Sequence, residues 1–355
     1  LEIGIINFFP CYIYICIIIY IILARDTSNN IRARGDLIMN IGIAKEISAG
    51  GKETRAILLP REVRRLTEEK HRVVAEKGLG LRMGITDTEY REAGATITRD
   101  RHRIFTQDIV VKLKPPLPDE FKMMRNNILF SMLHAEQNPK FVRLMDKVNV
   151  KAIAMELVAN RAGERLVQCT NMSGEQGMLM AFHVAKKSPR DCRVLVLGYG
   201  AVSSGALYVA NALGAEVKIL RKSEFRNAKH FLRHVDILVN GLSWPKEKRD
   251  NKEYIVTKKM LNTMNPYGIV LDLSVDYPNP IESCHPTLIS NPTYIVNSIT
   301  HISIFGYPGL SPISSSSRYS KQVLPLLLKI ASVKKLSRLP NYIKKAIIDP
   351  ENFEF

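Results

Sequence analysis

"CRVLVLGYGAVSSGALYVANALGAEVKILRKSE", residues 192–224, holds an apolar run, a glycine turn, a helical pattern and a second apolar run. The first run is expected to be a strand buried on both faces, as parallel sheets require. Gly198 makes the tight turn. Gly200 lets a pyrophosphate approach the next helix, whose free N–H groups and dipole favour anions. The pattern is G-x-G-x-x-S, with Ala201 and Val202 leading to Ser203 at the third small position, where helix packs on strand. A strand before the loop, a helix after it and a second strand ending about 20 residues on mark a dinucleotide-binding unit. Gly198, Gly200, Ala201, Val202 and Ser203 are therefore the candidate cofactor residues.

The second strand of such a unit usually ends in an acid that bonds the ribose hydroxyls of NAD. Here "VKIL" is followed by Arg221 and Lys222. A guanidinium pairs with a 2′-phosphate that a carboxylate would repel. Arg221 and Lys222 thus join the candidate set, and NADP(H) is favoured. The alternative is NAD(H), with Glu224 turned in to hold an unphosphorylated ribose.

Outward from this unit, strand and helix patterns alternate. "NIGI", "RVVAE", "DIVV", "NNILFS" and "AIAMELV" read as strands before it; "VDILVNG" and "YGIVLDLS" follow it. "PREVRRLTEEKH" reads as a helix opened by Pro60, and "TDTEYREAGA" as one capped by Thr86 or Asp87. "TNMSGEQGMLMAFHVAKK" is a long helix in which Ser173 and Gln176 have capping-box spacing. "RYSKQVLPLLLKIASVKKL" is an amphipathic helix near the C-terminus. The expected fold class is α/β: two Rossmann-like domains with parallel sheets, the N-terminal one completed by C-terminal helices. The dinucleotide domain is placed at residues 170–302. The substrate domain takes 39–169 plus 303–355, with the ligand cleft between them.

The 355 residues carry a formal net charge of +17. The basic residues are scattered, without the arm, finger spacing or aromatic–basic repeat of a nucleic-acid reader. Small phosphates and carboxylates are the better-matched partners. Five cysteines in irregular spacing give neither a disulfide framework nor a metal site, and fit a reducing cytoplasm. Residues 3–24 are uncharged and long enough to span a membrane. Yet the run is rich in Ile, Tyr and Phe, as AT-rich intergenic DNA reads when translated. "RGDLIM" is also encodable with a ribosome-binding sequence just upstream of Met39. The expectation is a protein that starts at Met39 and has no membrane partner. A membrane anchor at 1–38 is the alternative.

Four charged groups stand at expected strand ends or in the loops beyond them: Arg55, Lys114 (with Lys112 beside it), His134 and Asp276. Functional groups gather at such positions in parallel sheets. Their surroundings, "IGIAKEISAGGKETRAILLP", "VVKLKPPLP", "ILFSMLH", "MSGEQG", the glycine loop, "VLDLSVD" and "HISIFGYPGLSP", resemble the alanine dehydrogenase and transhydrogenase family over nearly all of residues 39–330. Within it, "RAILLP", Arg221-Lys222, "IESCHPT" and the short connection "HVAKKSPRDCRV" are more similar to carboxyethylornithine synthase, an NADPH-dependent opine-type enzyme.

The resemblance implies roles. Arg55 would grip a substrate carboxylate, Lys114 would bond carboxylate and carbonyl oxygen, and His134 would be the general acid/base. Asp276 would stand beside the nicotinamide and orient substrate or water. It implies reductive joining of a 2-oxo acid, such as pyruvate, to the amine of ornithine or lysine. The alternatives are an alanine dehydrogenase using ammonia and a nucleotide-binding homologue without catalysis. It also implies a homo-oligomer. Two departures count against a plain NAD-dependent alanine dehydrogenase: Arg221 replaces the ribose-binding acid, and Gly306 replaces the asparagine of an "ANMPG"-like motif. Lys114 and "KEIS" point the other way.

Overall fold

The computed structural model describes residues 37–47, 53–135 and 139–352. The apolar run at 3–24, and with it the question of an anchor, lies outside the described residues. Among the described residues no helix is long and apolar enough to cross a membrane. Nor does any group of three or more His, Cys, Asp or Glu stand where it would hold a metal.

Two six-stranded sheets organise the chain. The first contains β1 (Asn40–Ile43), β2 (Arg72–Glu76), β3 (Thr96–Thr98), β4 (Ile109–Val111), β5 (Ile128–Ser131) and β6 (Lys151–Ala154). Its order is β3-β2-β1-β4-β5-β6, parallel throughout. The second contains β7 (Arg193–Leu197), β8 (Glu216–Leu220), β9 (Ile237–Asn240), β10 (Ile269–Asp272), β11 (Thr293–Val296) and β12 (Ile299–Ile302). Its order is β11-β12-β10-β9-β7-β8, and only the edge strand β11 runs antiparallel. The parallel doubly wound plan is as expected. Strands β3, β11 and β12 have weak or mixed patterns and were not legible in advance.

Four helices matter for the site: α1 (Pro60–Glu68), α2 (Thr170–Val184), α3 (Ala201–Ala212) and α4 (Pro312–Ala331). Each sheet is covered on both faces, which explains the continuous apolar strands. Tyr319, Val323, Leu327 and Ile330 of α4, with Ile343 and Ala346 beyond it, pack into a core of the first sheet. The chain therefore returns to finish the unit it began.

Thr86 caps the helix Asp87–Glu92 in a reciprocal box with Glu89. The box expected at Ser173 and Gln176 does not form. Helix α2 begins one turn earlier, so Ser173 lies inside it and donates its hydroxyl back to the Cys169 carbonyl at 3.3 Å. Burial of Cys169 and Met172 in the first core anchors that extra turn. Farther along, Met178 and Ala181 of the same helix enter the second core, so α2 belongs to both units.

Helices α2 and α3 cross in backbone contact. A Cβ on Gly205 would stand 1.9 Å from the Asn171 carbonyl oxygen, and one on Gly174 would stand 1.9 Å from that of Val202. Alanine would raise helix propensity by about 1 kcal/mol. Forcing two backbones apart costs typically about 1–3 kcal/mol, at times more. Gly205→Ala is therefore expected to lower the urea unfolding midpoint; an unchanged or higher midpoint would contradict this crossing.

Candidate functional site

The first sheet reverses its strand order between β1 and β4, and open α/β sheets bind ligands at the carboxyl edge of such a switch point. The loops leaving β1 and β4 carry Arg55 and Lys114. They meet at one glycine of the segment that follows β12. A Cβ on Gly306 would lie 3.7 Å from Arg55 Nη2 and 3.7 Å from Lys114 Nζ. Gly306 has φ +104°, a conformation that disfavours any side chain there. Two cations thus converge on a position of the segment after β12 that carries no side chain.

Each cation is held differently. Arg55 is buried, and Glu53 accepts from its Nε at 2.7 Å and its Nη2 at 2.6 Å. This fork takes two of five guanidinium N–H donors. Lys114 Nζ lies 4.8 Å from the centre of the Phe305 ring. Burial pushes its pKa down to about 8, and the Arg55 charge pushes the same way. Lys112 plays no part in this space. It is fully buried and donates to both oxygens of Glu120 at 3.1 and 3.0 Å.

The loop after β4 is clamped by Glu46, which follows β1. Its buried carboxylate accepts from the N–H of Leu113 at 2.6 Å and of Lys114 at 3.2 Å. Burial raises the Glu46 pKa, against the pull of Lys112 and those two N–H groups. The loop after β5 is clamped in the same way by Glu156, which follows β6. It accepts from the N–H of Leu133 at 3.0 Å and of His134 at 2.5 Å. His134 has φ +46°. That left-handed conformation costs a non-glycine residue about 1–2 kcal/mol. Hydrogen bonds to a charged acceptor contribute about 1.5–3 kcal/mol each, so the clamp outweighs the strain. The His134 side chain is open to solvent. The protein around it still withholds enough water to lower its pKa; Lys114 and Arg165 lower it further, while Glu156 opposes them.

Asp276 follows β10 at the carboxyl edge of the second sheet. One of its oxygens accepts from the Trp244 backbone N–H at 3.0 Å, and the other lies 4.0 Å from Arg249 Nη1. The preceding Val275 has φ +56°. Its N–H and that of Ser274 reach the buried Asp272 carboxylate at 3.5 and 3.3 Å. Among the described residues no hydrogen bond or ion pair joins Asp276 to Arg55, Lys114 or His134.

At the glycine loop, Gly198 has φ +78° and Gly200 is the N-cap of α3. A Cβ on Gly200 would meet nothing within 4 Å, so the helix N-terminus is open. Ala201 and Val202 are the first residues of α3. Ser203 is buried against Gly241, where a Cβ would collide with its Oγ. At the end of β8, Arg221 and Lys222 are exposed. Glu224 folds back, and its carboxylate accepts the Arg221 N–H at 2.8 Å. That strand end therefore carries both basic side chains and an acid.

The structure joins Arg55 and Lys114, sets His134 on the next strand but keeps Asp276 on the opposite unit. Sequence reasoning missed Glu46, Glu53, Glu156 and Phe305. Glu53 had a visible signal, an acid two residues before Arg55. Glu156 had a fainter one, a charge inside an apolar strand.

The model of the "Alanine dehydrogenase/PNT, N-terminal domain" matches residues 42–175, and that of the "Alanine dehydrogenase/PNT, C-terminal domain" matches residues 220–347. Neither match includes 176–219, which hold β7 and the glycine loop. The alanine dehydrogenase of Bacillus subtilis (strain 168) is 28% identical over 332 residues, covering 83% of this chain and 86% of that protein. The alanine dehydrogenase of Methanococcus maripaludis is 27% identical, covering 83% and 88%. A solved L-alanine dehydrogenase superposes with a TM-score of 0.77 at 25% identity, over 87% of this chain and 94% of that one. A transhydrogenase from Sinorhizobium meliloti shares the fold, with a TM-score of 0.72 at 21% identity over 82% and 94%.

If Lys114 holds a substrate anion, its depressed pKa would set a pH limit on that binding. The ammonium form is present below about pH 8 and is lost above it. Affinity for a 2-oxo acid, titrated by calorimetry, is expected to be flat below that pH and to fall by up to about tenfold per unit above it. Lys114→Arg should remove the break, because arginine stays charged. A flat profile in the wild-type protein would show that Lys114 does not hold the anion.

Proposed function

The chain belongs to the alanine dehydrogenase/PNT family, and from that premise we propose that it is a nicotinamide-nucleotide-dependent oxidoreductase interconverting a 2-oxo acid and an amino acid at a CH–NH bond. The observation that carries this reading is the convergence of Arg55 and Lys114 on Gly306 at a switch point.

In this reading the 2-oxo acid, pyruvate in the simplest case, sets its carboxylate between the two cations. Arg55 keeps its orientation because Glu53 holds one edge of the guanidinium. Lys114 also bonds the carbonyl oxygen. An amine adds to the polarised carbonyl carbon; neutral His134 takes a proton that the amine nitrogen sheds and passes it to the oxygen, which with the second amine proton leaves as water and gives the imine. A lowered pKa leaves His134 largely neutral near pH 7, with a basic nitrogen for the reverse, oxidative direction. Gly198 and Gly200, over the open N-terminus of α3, would hold the pyrophosphate of the nucleotide, which supplies the hydride when bound. Asp276, beyond the second sheet, would orient the amine donor.

Two amine donors fit. Free ammonia is the donor suggested by the curated alanine dehydrogenases, which align over most of their length. A side-chain amine of ornithine or lysine, as in carboxyethylornithine synthase, is the donor suggested by Arg221-Lys222 and "IESCHPT". Arg221 and Lys222 favour NADP(H) by charge; the Glu224 carboxylate beside them is taken up by the Arg221 N–H, and NAD(H) is the alternative.

The test is consumption of NADPH and of NADH with pyruvate and either ammonia, ornithine or lysine. Turnover with any of these amines is expected. Comparable turnover with ammonia alone would sink the side-chain-amine reading. His134→Asn should lower kcat by about 10²–10⁴-fold, the usual worth of a positioned acid/base, while nucleotide affinity stays within about threefold. Tight nucleotide binding without turnover under every condition would instead mark a non-catalytic homologue.

A further inference from the structure

We propose that Trp244, Arg249 and Asp276 form a clamp for the α-amino-acid headgroup of the amine donor, a subsite distinct from the Arg55–Lys114 space. The inference rests on the oxidoreductase reading above and deepens it, since it names how a second, larger substrate is held.

The Trp244 backbone N–H and Arg249 Nη1 both stand beside Asp276 beyond the end of β10, while the Trp244 ring packs into the core next to them. Two of their nitrogens lack what burial demands. Trp244 Nε1 and Arg249 Nε are both buried and have no hydrogen-bond partner among the described residues. Leaving a buried donor unpaired is costly, and native proteins seldom do so without a ligand or water to meet it. Both donors lie on one short segment, Trp244 in the loop and Arg249 in the helix Lys246–Asp250 that follows.

The charge of Arg249 is also incompletely used. Its Nη1 stands 4.0 Å from Asp276, too far for a hydrogen bond. The guanidinium retains donors in a planar fork, the geometry that recognises a carboxylate. Asp276 is fixed by the Trp244 backbone N–H through one oxygen. The other oxygen remains beside the cation. An α-amino acid carries both charges one carbon apart. Its carboxylate would meet Arg249 and the Trp244 indole N–H, and its ammonium would meet Asp276. The side-chain amine is then left for the 2-oxo acid. Ammonia needs no such pair.

Trp244 is the only tryptophan in the chain, so its emission reports on this subsite directly. The experiment titrates ornithine and lysine into the full-length protein saturated with NADP⁺. Putrescine and cadaverine, which keep the side-chain amine but lack the carboxylate, serve as comparison. A saturable change in emission is expected with the amino acids and none with the diamines. Arg249→Gln should weaken the amino-acid response at least tenfold, and Arg249→Lys should recover part of it. The proposal is overturned if no amino acid changes the emission, if the diamines act equally, or if Arg249→Gln leaves the response unchanged. It is also overturned if the nucleotide alone produces the whole change, because the donors then belong to the cofactor. Binding is read without turnover, so the two readings fail separately. An emission response without turnover sinks the oxidoreductase reading, whereas ammonia-dependent turnover without an emission response sinks only the headgroup clamp.

Discussion

Buried carboxylates that accept backbone N–H groups govern the geometry of this protein. Glu46 holds the loop leaving β4, Glu156 the loop leaving β5, and Asp272 the turn leaving β10. In each case the acid sits at or just beyond a strand end and grips a turn that departs from the sheet edge. A parallel strand that ends at a sheet edge leaves unpaired N–H groups in a poorly solvated place. A carboxylate meets two of them at once and with charge assistance. The candidate residues Lys114, His134 and Asp276 all ride on turns held in this way. Two of those turns contain a left-handed residue, His134 or Val275, that would relax without its acid. The clamps thus convert flexible exits into fixed platforms.

Joining the two units is the second requirement. Helix α2 contributes to both cores, and α4 carries the chain from the second sheet back into the first core. Between them, Gly306 enters the space flanked by Arg55 and Lys114. A shift of the segment between β12 and α4 would therefore move Gly306 against the cations. Close backbone contact between α2 and α3 at Gly174 and Gly205 stiffens the same junction and sets the glycine loop on a rigid helix.

Charge is arranged differently on the two sheets. Beyond the first, Arg55 and Lys114 stand near the buried Glu53 and Glu46. Beyond the second, Asp276 and Arg249 carry opposite charges. In the proposed reaction the first group would take the anionic 2-oxo acid and the second an ammonium or zwitterionic partner.

The chain's own pattern determined the α/β class, the two parallel units and the glycine loop, because each depends on neighbours close in sequence. Apolar runs of strand length, "GYG" between a strand and a helix, and Thr86 three residues before Glu89 carry their meaning locally. It also placed Arg55, Lys114, His134 and Asp276 at or beyond strand ends. What it did not determine was which charges are at work and which are structural. Lys112 and Lys114 are two residues apart and look alike, yet one is spent on Glu120 and the other faces Gly306. The capping box read at Ser173 was overridden by burial of Cys169 and Met172, one turn upstream. Only the tertiary structure decided that Glu46 and Glu156 hold the loops, and that Arg249 stands by Asp276. Burial and ion pairing are set by residues far apart along the chain, and those distances exist only once both sheets have packed.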